Sequence, residues 1–204
     1  MRWNRLLIII IPLLSIITGL FFYHLMPARM PIHFGLNGNP DSFGSRFTGV
    51  FALPISICLV VAVLYIVPRV APEESKVGKN YESFVAVVLI VLYTIYLQML
   101  LSELNIRISA IVPTSVAILQ YSIGYFLQRS ERGRIFGLRT RWTLGSDQVW
   151  KKTHDMMGIL FKLSAFVVFL GVFLPDYQYY LISASWIATP AFGILYSFYA
   201  YKRN

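Results

Sequence analysis

Six long apolar segments constrain the fold of this chain more than any other feature of its sequence. Each approaches the 20 or so predominantly apolar residues that a helix needs to cross the hydrocarbon core of a bilayer. They lie approximately at residues 6–26, 48–67, 84–104, 109–127, 157–174 and 179–201. The fourth is the weakest, because Pro113, Ser115, Gln120 and Ser122 dilute it. The sequence therefore predicts an all-α fold class, a bundle of six transmembrane helices that forms one integral membrane domain over residues 1–204.

The composition agrees with a membrane protein. Apolar residues make up 57% of the chain and charged residues only 13%, about half of the charged share usual in soluble domains. The first apolar segment ends at Met26-Pro27 without a small-residue cleavage site, so we expect it to be retained as a span. Cys58 is the only cysteine, so neither a disulfide within the chain nor a cysteine-based metal site is expected.

The positive charges predict the orientation. The formal net charge is +9, and 14 of the 18 Lys and Arg residues fall before span one, after spans two and four, or at the C-terminus. Short cytoplasmic loops carry such an excess, so both termini are predicted to be cytoplasmic in a multi-pass protein of the plasma membrane. The same rule accounts for the basic charge, so membrane lipids and not nucleic acid are the expected partners.

The loop at residues 27–47, predicted to lie outside, has an unusual density of turn residues. Pro27 and Pro31 end the first helix, and Asn37-Gly38 is a strong tight-turn pair. Its imidazole and carboxylate groups, His33 and Asp41, together with the nearby His24, could bind a metal, shuttle a proton or bond to each other. Their spacing matches no zinc-enzyme pattern, so we predict an ordered structural or ligand-facing loop with neither a metal nor a catalytic role.

The basic loop at residues 129–156, predicted to lie inside, contains "GRIFGLRTRWTLGSDQVWKKTHDMMG" at 133–158. Ser146 is a good N-cap for a helix that begins at Asp147 and continues into span five, with Trp150 at headgroup depth. The cations at 139, 141, 151 and 152 could bind lipid phosphates, a carboxylate of another loop or an acidic partner. The alternative is that these cations only set the orientation of the protein in the membrane and contact lipid.

Few polar side chains lie within the spans. Lys162 is expected to extend its ammonium group toward the cytoplasmic interface, and Gln98 and Gln120 to form hydrogen bonds between helices. No span carries an acidic residue at mid-depth, which argues against a proton-coupled transporter.

Two motifs in these loops resemble a known family. "MPARMPIHFGLNGNPDSFGSR" resembles a small domain of unknown function with the pattern LPxxxPxHFxxxGxPDxxGS, and "FGLRTRWTLGSDQVWKKTH" resembles the GIRTPWTLSSxxVWxKTH signature of SdpI-type membrane proteins. The resemblance implies a six-helix integral membrane immunity protein, neither an enzyme nor a cofactor-binding protein. It implies protection against a secreted, membrane-active peptide toxin outside and signalling to a cytoplasmic repressor inside.

The resemblance also assigns motif residues. For ligand recognition in the outer loop they are Pro31, His33, Phe34, Gly38, Pro40, Asp41, Gly44 and Ser45. In the inner loop, for contact with a partner or with lipid, they are Gly137, Arg139, Thr140, Trp142, Thr143, Leu144, Trp150, Lys152, Thr153 and His154. Two positions depart from the family patterns, because Arg141 stands where proline is usual and Met26 where leucine is usual. The first is expected to add charge and loosen the backbone.

Two rival functions remain open at this level. A small transporter would need a polar route lined by Gln98, Gln120 and Lys162. A membrane enzyme would need His33 and Asp41, or His154, to converge on a cavity.

Overall fold

The computed structural model describes residues 3–70, 81–106, 108–132 and 137–203, with only the backbone of 65–70. The chain is mostly helical. Its elements are α1 (Trp3–Phe22) followed by a 3-10 turn (Tyr23–Leu25), β1 (Arg29–Phe34), β2 (Pro40–Ser45), α2 (Arg46–Val70), α3 (Tyr81–Glu103), α4 (Ile111–Leu127), α5 (Arg141–Gly145), α6 (Asp147–Phe169) followed by a 3-10 turn (Leu170–Val172), and α7 (Gln178–Lys202).

The long helices alternate in direction, which gives the bundle two distinct ends. Helices α1 and α3 run parallel, because Asn4 bonds to Ser83 and Thr18 to Tyr93. The crossings of α4 with α6 and of α6 with α7 are antiparallel. The strands, the α3–α4 connection and the α6–α7 connection therefore lie at one end, here called the hairpin end. The starts of α1, α3 and α6 lie at the other, here called the basic end.

Five helices are long and apolar enough to cross a membrane: Trp3–Leu25, Arg46–Leu64, Tyr81–Glu103, Asp147–Val172 and Gln178–Lys202. They confirm the multi-pass class. The segment predicted as the fourth span forms α4, an apolar helix of 17 residues that is shorter than the other five, so the count of six spans stays a prediction. The polar residues that lower its apolar character fit its position, because α4 lies among α3, α6 and α7 and buries Ser115 and Gln120 there.

The packing of α4 against α6 is the most extensive helix–helix contact, and it depends on two glycines. A Cβ atom on Gly158 would lie 2.7 Å from the carbonyl oxygen of Gly124, and one on Gly124 would lie 2.6 Å from the carbonyl oxygen of Gly158. Small residues at such a crossing let two backbones approach closely inside a membrane. Any larger side chain at either position would push the helices apart.

The polar side chains within the spans behave partly as predicted. Gln120, fully buried, donates to Ser185 Oγ on α7 at 2.7 Å and accepts from Ser164 on α6 at 3.3 Å, as expected of an interhelical bond. Lys162 donates to the side-chain oxygen of Gln128, toward the basic end, which confirms the expected direction of its ammonium group. The buried Oε1 atom of Gln98, in contrast, has no hydrogen-bond partner among the described residues.

The all-α prediction is wrong for one segment, because the loop at 27–47 contains a two-stranded antiparallel sheet. Strands β1 and β2 pair with Arg29 opposite Ser45 and Phe34 opposite Pro40. Proline and glycine are depleted in strands, and β1 contains Pro31 while β2 contains Pro40 and Gly44, so the sequence indicated turns without indicating strand pairing. The pairing tolerates them because a two-stranded sheet has only edge strands.

Charge divides between the two ends as the sequence predicted. Among the described residues, the basic end holds Arg5, Arg129, Arg132, Arg139, Arg141, Lys151, Lys152, Lys202 and Arg203, whereas the hairpin end holds Arg29 and Arg46. Arg2, Lys76, Lys79, Arg107 and Arg134 lie outside the described residues, as does the side chain of Arg69.

The α4–α6 crossing leads to a test of the fold. Replacing Gly158 with Ala should destabilise the protein by about 1–3 kcal/mol through overpacking, although alanine is the better helix former. The measurement is thermal unfolding in detergent, where Tm should fall by several degrees. Gly145→Ala is the control, since nothing lies within 4 Å of a Cβ atom added there. Equal stability of the two variants would contradict the close crossing.

Candidate functional site

The outer loop is a hairpin with a defined turn. The turn is closed by Gly38 N–H donating to the Gly35 carbonyl and by Gly35 N–H donating to the Asn39 carbonyl, both at 2.9 Å. Asn39 N–H also donates to the side chain of Asn37 at 3.1 Å. Gly38 has φ +76°, in the left-handed region that favours glycine. The Asn37-Gly38 pair therefore forms the tight turn that the sequence indicated.

The base of the hairpin is anchored in the helix bundle by one methionine. Met30 is fully buried and packs with Met26, Val50 and Leu100. The space for it is created at Gly49 on α2, where a Cβ atom would lie 2.4 Å from that of Met30. The family departure at Met26 is thus accommodated in a packed core, with 2% of that residue exposed.

Several outer motif residues have structural roles at this base. Ser45 caps α2, because its Oγ accepts from Thr48 N–H at 3.2 Å. Pro31 is buried, and Gly44 packs closely against Ile32, where an added Cβ atom would lie 3.0 Å from Cγ2. Arg46 N–H donates to the Ala28 carbonyl at 3.0 Å, which joins the start of α2 to the start of the hairpin. These contacts hold the hairpin in one position on the bundle.

The structure brings together the two titratable groups that the sequence singled out in this loop. His33 Nδ1 lies 2.6 Å from Asp41 Oδ1, and the two side chains are 69% and 49% exposed. The His24 ring packs edge-on against Tyr23, with ring centroids 5.6 Å apart. Among the described residues there is no cluster of three or more His, Cys, Asp or Glu side chains that could hold a metal ion.

The hairpin exposes large apolar side chains. Ile32, Phe34, Leu36 and Phe43 are 44%, 43%, 63% and 50% exposed. The exposure of Phe34 and Phe43 shows that these two rings do not form a core within the loop. With the His33–Asp41 pair, the hairpin presents an amphipathic surface at its end of the bundle.

The inner motif begins with a short capped helix. The side chain of Thr140 accepts from Thr143 N–H at 3.2 Å, while Thr143 Oγ1 accepts from Thr140 N–H at 2.9 Å. This reciprocal capping box fixes the start of α5. Arg141 is the first residue of α5, a position where proline is favoured. The family's proline and this arginine therefore both fit the helix start, and the expected loosening of the backbone is not seen.

The centre of the inner motif is a stacked pair of rings. Trp150 and His154 lie one helical turn apart on α6, with ring centroids 4.0 Å apart and planes inclined by 18°. Leu138 N–H donates to His154 Nε2, and His154 Nδ1 donates to the Trp150 carbonyl, each at 2.8 Å. A ring that accepts at Nε2 and donates at Nδ1 is neutral. The histidine is therefore fully occupied by structural hydrogen bonds.

The loop before α5 lies directly on this pair. Gly137 has φ +138°, and a Cβ atom there would be 2.6 Å from His154 Nε2 and 2.7 Å from the Trp150 ring. Trp150 Nε1 also donates to the Ser130 carbonyl at 3.1 Å, and only 2% of the residue is exposed. The rings thus join the end of α4, the loop before α5 and helix α6. Trp150 packs within this cluster, and its predicted depth at the lipid headgroups stays a prediction.

The inner motif divides into a buried and an exposed set. Thr143, Trp150, Thr153 and His154 are buried, and the half-buried Thr140 is bound within the cluster. The exposed residues are Arg139, Leu144 and Lys152, with Arg141 beside them. Trp142 is half-buried, and its ring centroid lies 5.1 Å from that of Phe198. Only the exposed set is available to a partner or to lipid.

The start of α6 is fixed by a helix cap and by an ion pair. Ser146 Oγ accepts from Val149 N–H at 3.4 Å, which confirms the predicted N-cap of a helix starting at Asp147. Arg132 forms a two-pronged ion pair with Asp147 and donates to the Leu144 carbonyl at 2.9 Å. These contacts fix the polypeptide around the exposed cations.

Sequence reasoning missed three residues that position the two loops. Tyr179 packs against the hairpin turn at Gly38, and Ser197 and Phe198 contact the α5 segment. All three belong to α7, and none lies in either motif. Their only signal in the sequence was their place near the ends of an apolar segment.

These features define the class of protein: a multi-pass membrane protein with an ordered hairpin at one end of the bundle and a packed, basic loop at the other. Residues 129–200 match the SdpI/YfhL protein family, and residues 9–58 match a domain of unknown function, DUF1648. The chain is 26% identical over 203 residues to Immunity protein SdpI of Bacillus subtilis (strain 168), covering 98% of this chain and 97% of that protein. The chain is therefore similar to the SdpI/YfhL family over residues 129–200 and to Immunity protein SdpI along nearly its whole length. No solved structure matches it significantly.

The ring pair yields a prediction for the inner loop. His154→Ala removes the acceptor of Leu138 N–H and one face of the stack, and an unsatisfied buried donor costs about 1–3 kcal/mol. Trypsin cleavage at Arg139 and Arg141 should therefore become about tenfold faster, because cleavage follows the population of the open loop. Gln148→Ala, an exposed position on the same helix, should leave the rate unchanged. An unaltered rate in His154→Ala would mean that the ring pair does not hold the loop.

Proposed function

We propose that the chain is an immunity protein of the cell membrane that protects its host against a membrane-active peptide and is not an enzyme. The observation that carries this proposal is the similarity to Immunity protein SdpI, which extends over nearly the whole of both chains. Both loop motifs fall within the matched domains, so the similarity includes both ends of the bundle.

In this proposal the chain crosses the membrane six times, with both termini and the basic end in the cytoplasm. The excess of cations at that end supports the orientation. The 17 residues of α4 give a length of about 26 Å, slightly short of the hydrocarbon thickness. Local thinning of the bilayer and the packing of α4 among three longer helices accommodate the difference.

The hairpin is the proposed receiver for the peptide. Its exposed Ile32, Phe34 and Phe43 offer apolar contact area, and the His33–Asp41 pair beside them offers charged and hydrogen-bonding groups. An amphipathic peptide that acts on membranes presents the complementary combination of surfaces. Because the hairpin is already anchored at Met30, binding would cost little ordering of the loop.

The exposed cations of the inner loop are the proposed docking surface for an acidic region of a cytoplasmic repressor. Arg139 and Arg141 are exposed in the segment that packs on the buried ring pair, and Lys152 is exposed on α6 between Trp150 and His154. Arginine favours planar, bidentate contact with carboxylates. The family similarity supports this role, and Arg141 adds one cation to the surface.

Transport is the alternative, and the pairing of two of the three side chains that its route would need favours immunity over it. Gln120 bonds to serines of α6 and α7 and Lys162 bonds to Gln128, while the Oε1 atom of Gln98 has no partner among the described residues. Groups that satisfy each other join helices, whereas a permeation route needs groups free to exchange partners with a solute.

The receiver role is tested with His33→Ala and Asp41→Ala. Exposed ion pairs contribute only about 0–1 kcal/mol, so both variants should reach the membrane at normal levels. Each should lose protection when sensitive cells lacking their own immunity protein are challenged with the secreted killing peptide. Ser42→Ala, opposite His33 in the hairpin, is the matched control and should protect normally. Full protection by both His33 and Asp41 variants would remove the pair from the mechanism.

The orientation is tested by labelling single cysteines with a membrane-impermeant reagent in a Cys58→Ala background. Ser42→Cys is exposed on β2, and Gly145→Cys is exposed at the end of α5 with open space around it. In intact cells the first should react and the second only after permeabilisation. Reaction of both from outside would place the hairpin and the basic loop in one compartment and overturn the proposed sidedness.

A further inference from the structure

The tip of the hairpin rests on the first turn of α7. A Cβ atom on Gly38 would lie 2.1 Å from Cδ2 of the Tyr179 ring and 2.3 Å from Cε2. The backbone at Gly38 is thus in direct contact with the ring, and no other residue type fits there without displacement. With Met30 anchored at α2, the hairpin extends from the α1–α3 part of the bundle to α7.

The opposite end of α7 touches the inner loop through two side chains. Thr140, the cap residue of α5, donates from Oγ1 to Ser197 Oγ at 3.4 Å. Trp142 of α5 packs on Phe198, with ring centroids 5.1 Å apart. The short helix that presents Arg141 and Leu144 therefore lies against the last turns of α7.

A single helix joins these two contacts. Tyr179 and Ser197 are 18 residues apart, about 27 Å along the axis of an α-helix. Between them, α7 is held to the bundle by Ser185, which bonds to Gln120, and at Gly193, where a Cβ atom would lie 2.7 Å from the Met157 sulfur. The latter contact supports the stretch that contains Pro190, where proline removes one backbone hydrogen bond.

We propose that α7 links the hairpin to the inner loop, with Tyr179 as the positioning residue at the hairpin end and Ser197 and Phe198 at the basic end. A ligand that displaces the hairpin alters the contact between Gly38 and the Tyr179 ring. The helix then carries this displacement to α5. The inference deepens the proposed function by naming the route between its two surfaces. It is testable without a peptide, so its failure is distinct from a failure of protection.

The test is hydrogen–deuterium exchange of the full chain in lipid nanodiscs, comparing Tyr179→Ala with Tyr180→Ala. The two tyrosines are neighbours on one helix, but Tyr180 is 52% exposed, and the atoms nearest to a Cβ atom on Gly38 all belong to Tyr179. We expect Tyr179→Ala to raise exchange severalfold both in 29–45 and in 137–146, more than 20 Å away. Tyr180→Ala and the ring-preserving Tyr179→Phe should match the unchanged protein.

Coupling free energies are reciprocal, so the route must also work in reverse. Phe198→Ala should raise exchange at 36–40 in the hairpin turn as well as in 137–146. Exchange in 85–100 of α3 monitors the global fold and should stay constant in every variant. Should Tyr179→Ala disturb 85–100, the Phe198→Ala result at the hairpin decides the question. A Tyr179→Ala effect confined to 29–45, or a Phe198→Ala effect confined to 137–146, would reduce each contact to a local clamp and overturn the proposal.

Discussion

The constraint that shapes this protein is that backbone N–H and C=O groups have no water to bond to within a bilayer. Every spanning segment must satisfy its own backbone, so it must be a helix. Irregular and strand-forming backbone is then confined to the two ends of the bundle. The hairpin at 29–45 and the loop at 137–146 are ordered segments of this kind, and they lie at opposite ends of the bundle.

The two motifs use their residues differently. In the inner loop the motif is largely inward-facing, since Thr143, Trp150, Thr153 and His154 are buried and the ring pair joins three segments. In the outer loop the titratable pair is exposed and contributes little to stability. Substitutions in the inner set should therefore act on folding first, whereas the outer pair can be changed to read function alone.

Much of this architecture was predictable from the sequence, and what was missed has a common cause. Patterns within a few residues determine the helix positions, the Ser146 cap and the Asn37-Gly38 turn. The contact between His33 and Asp41 depends on a turn that brings residues close in sequence together. The pairing of β1 with β2 was missed because proline and glycine conceal strands. The contacts of Gly38 with Tyr179 and of Thr140 with Ser197 depend on how distant helices pack, which no local pattern records.

The arginine at 141 shows how a departure from a family pattern is interpreted once its position is known. Within the sequence alone, replacing proline in the middle of a motif indicated a looser backbone. At the first position of a capped helix, proline and arginine are both compatible with the backbone, because the N–H that proline lacks has no helical partner there. The fold is therefore unaffected, and the consequence of the substitution is electrostatic, one more exposed cation on the surface that faces a cytoplasmic partner in the proposed function.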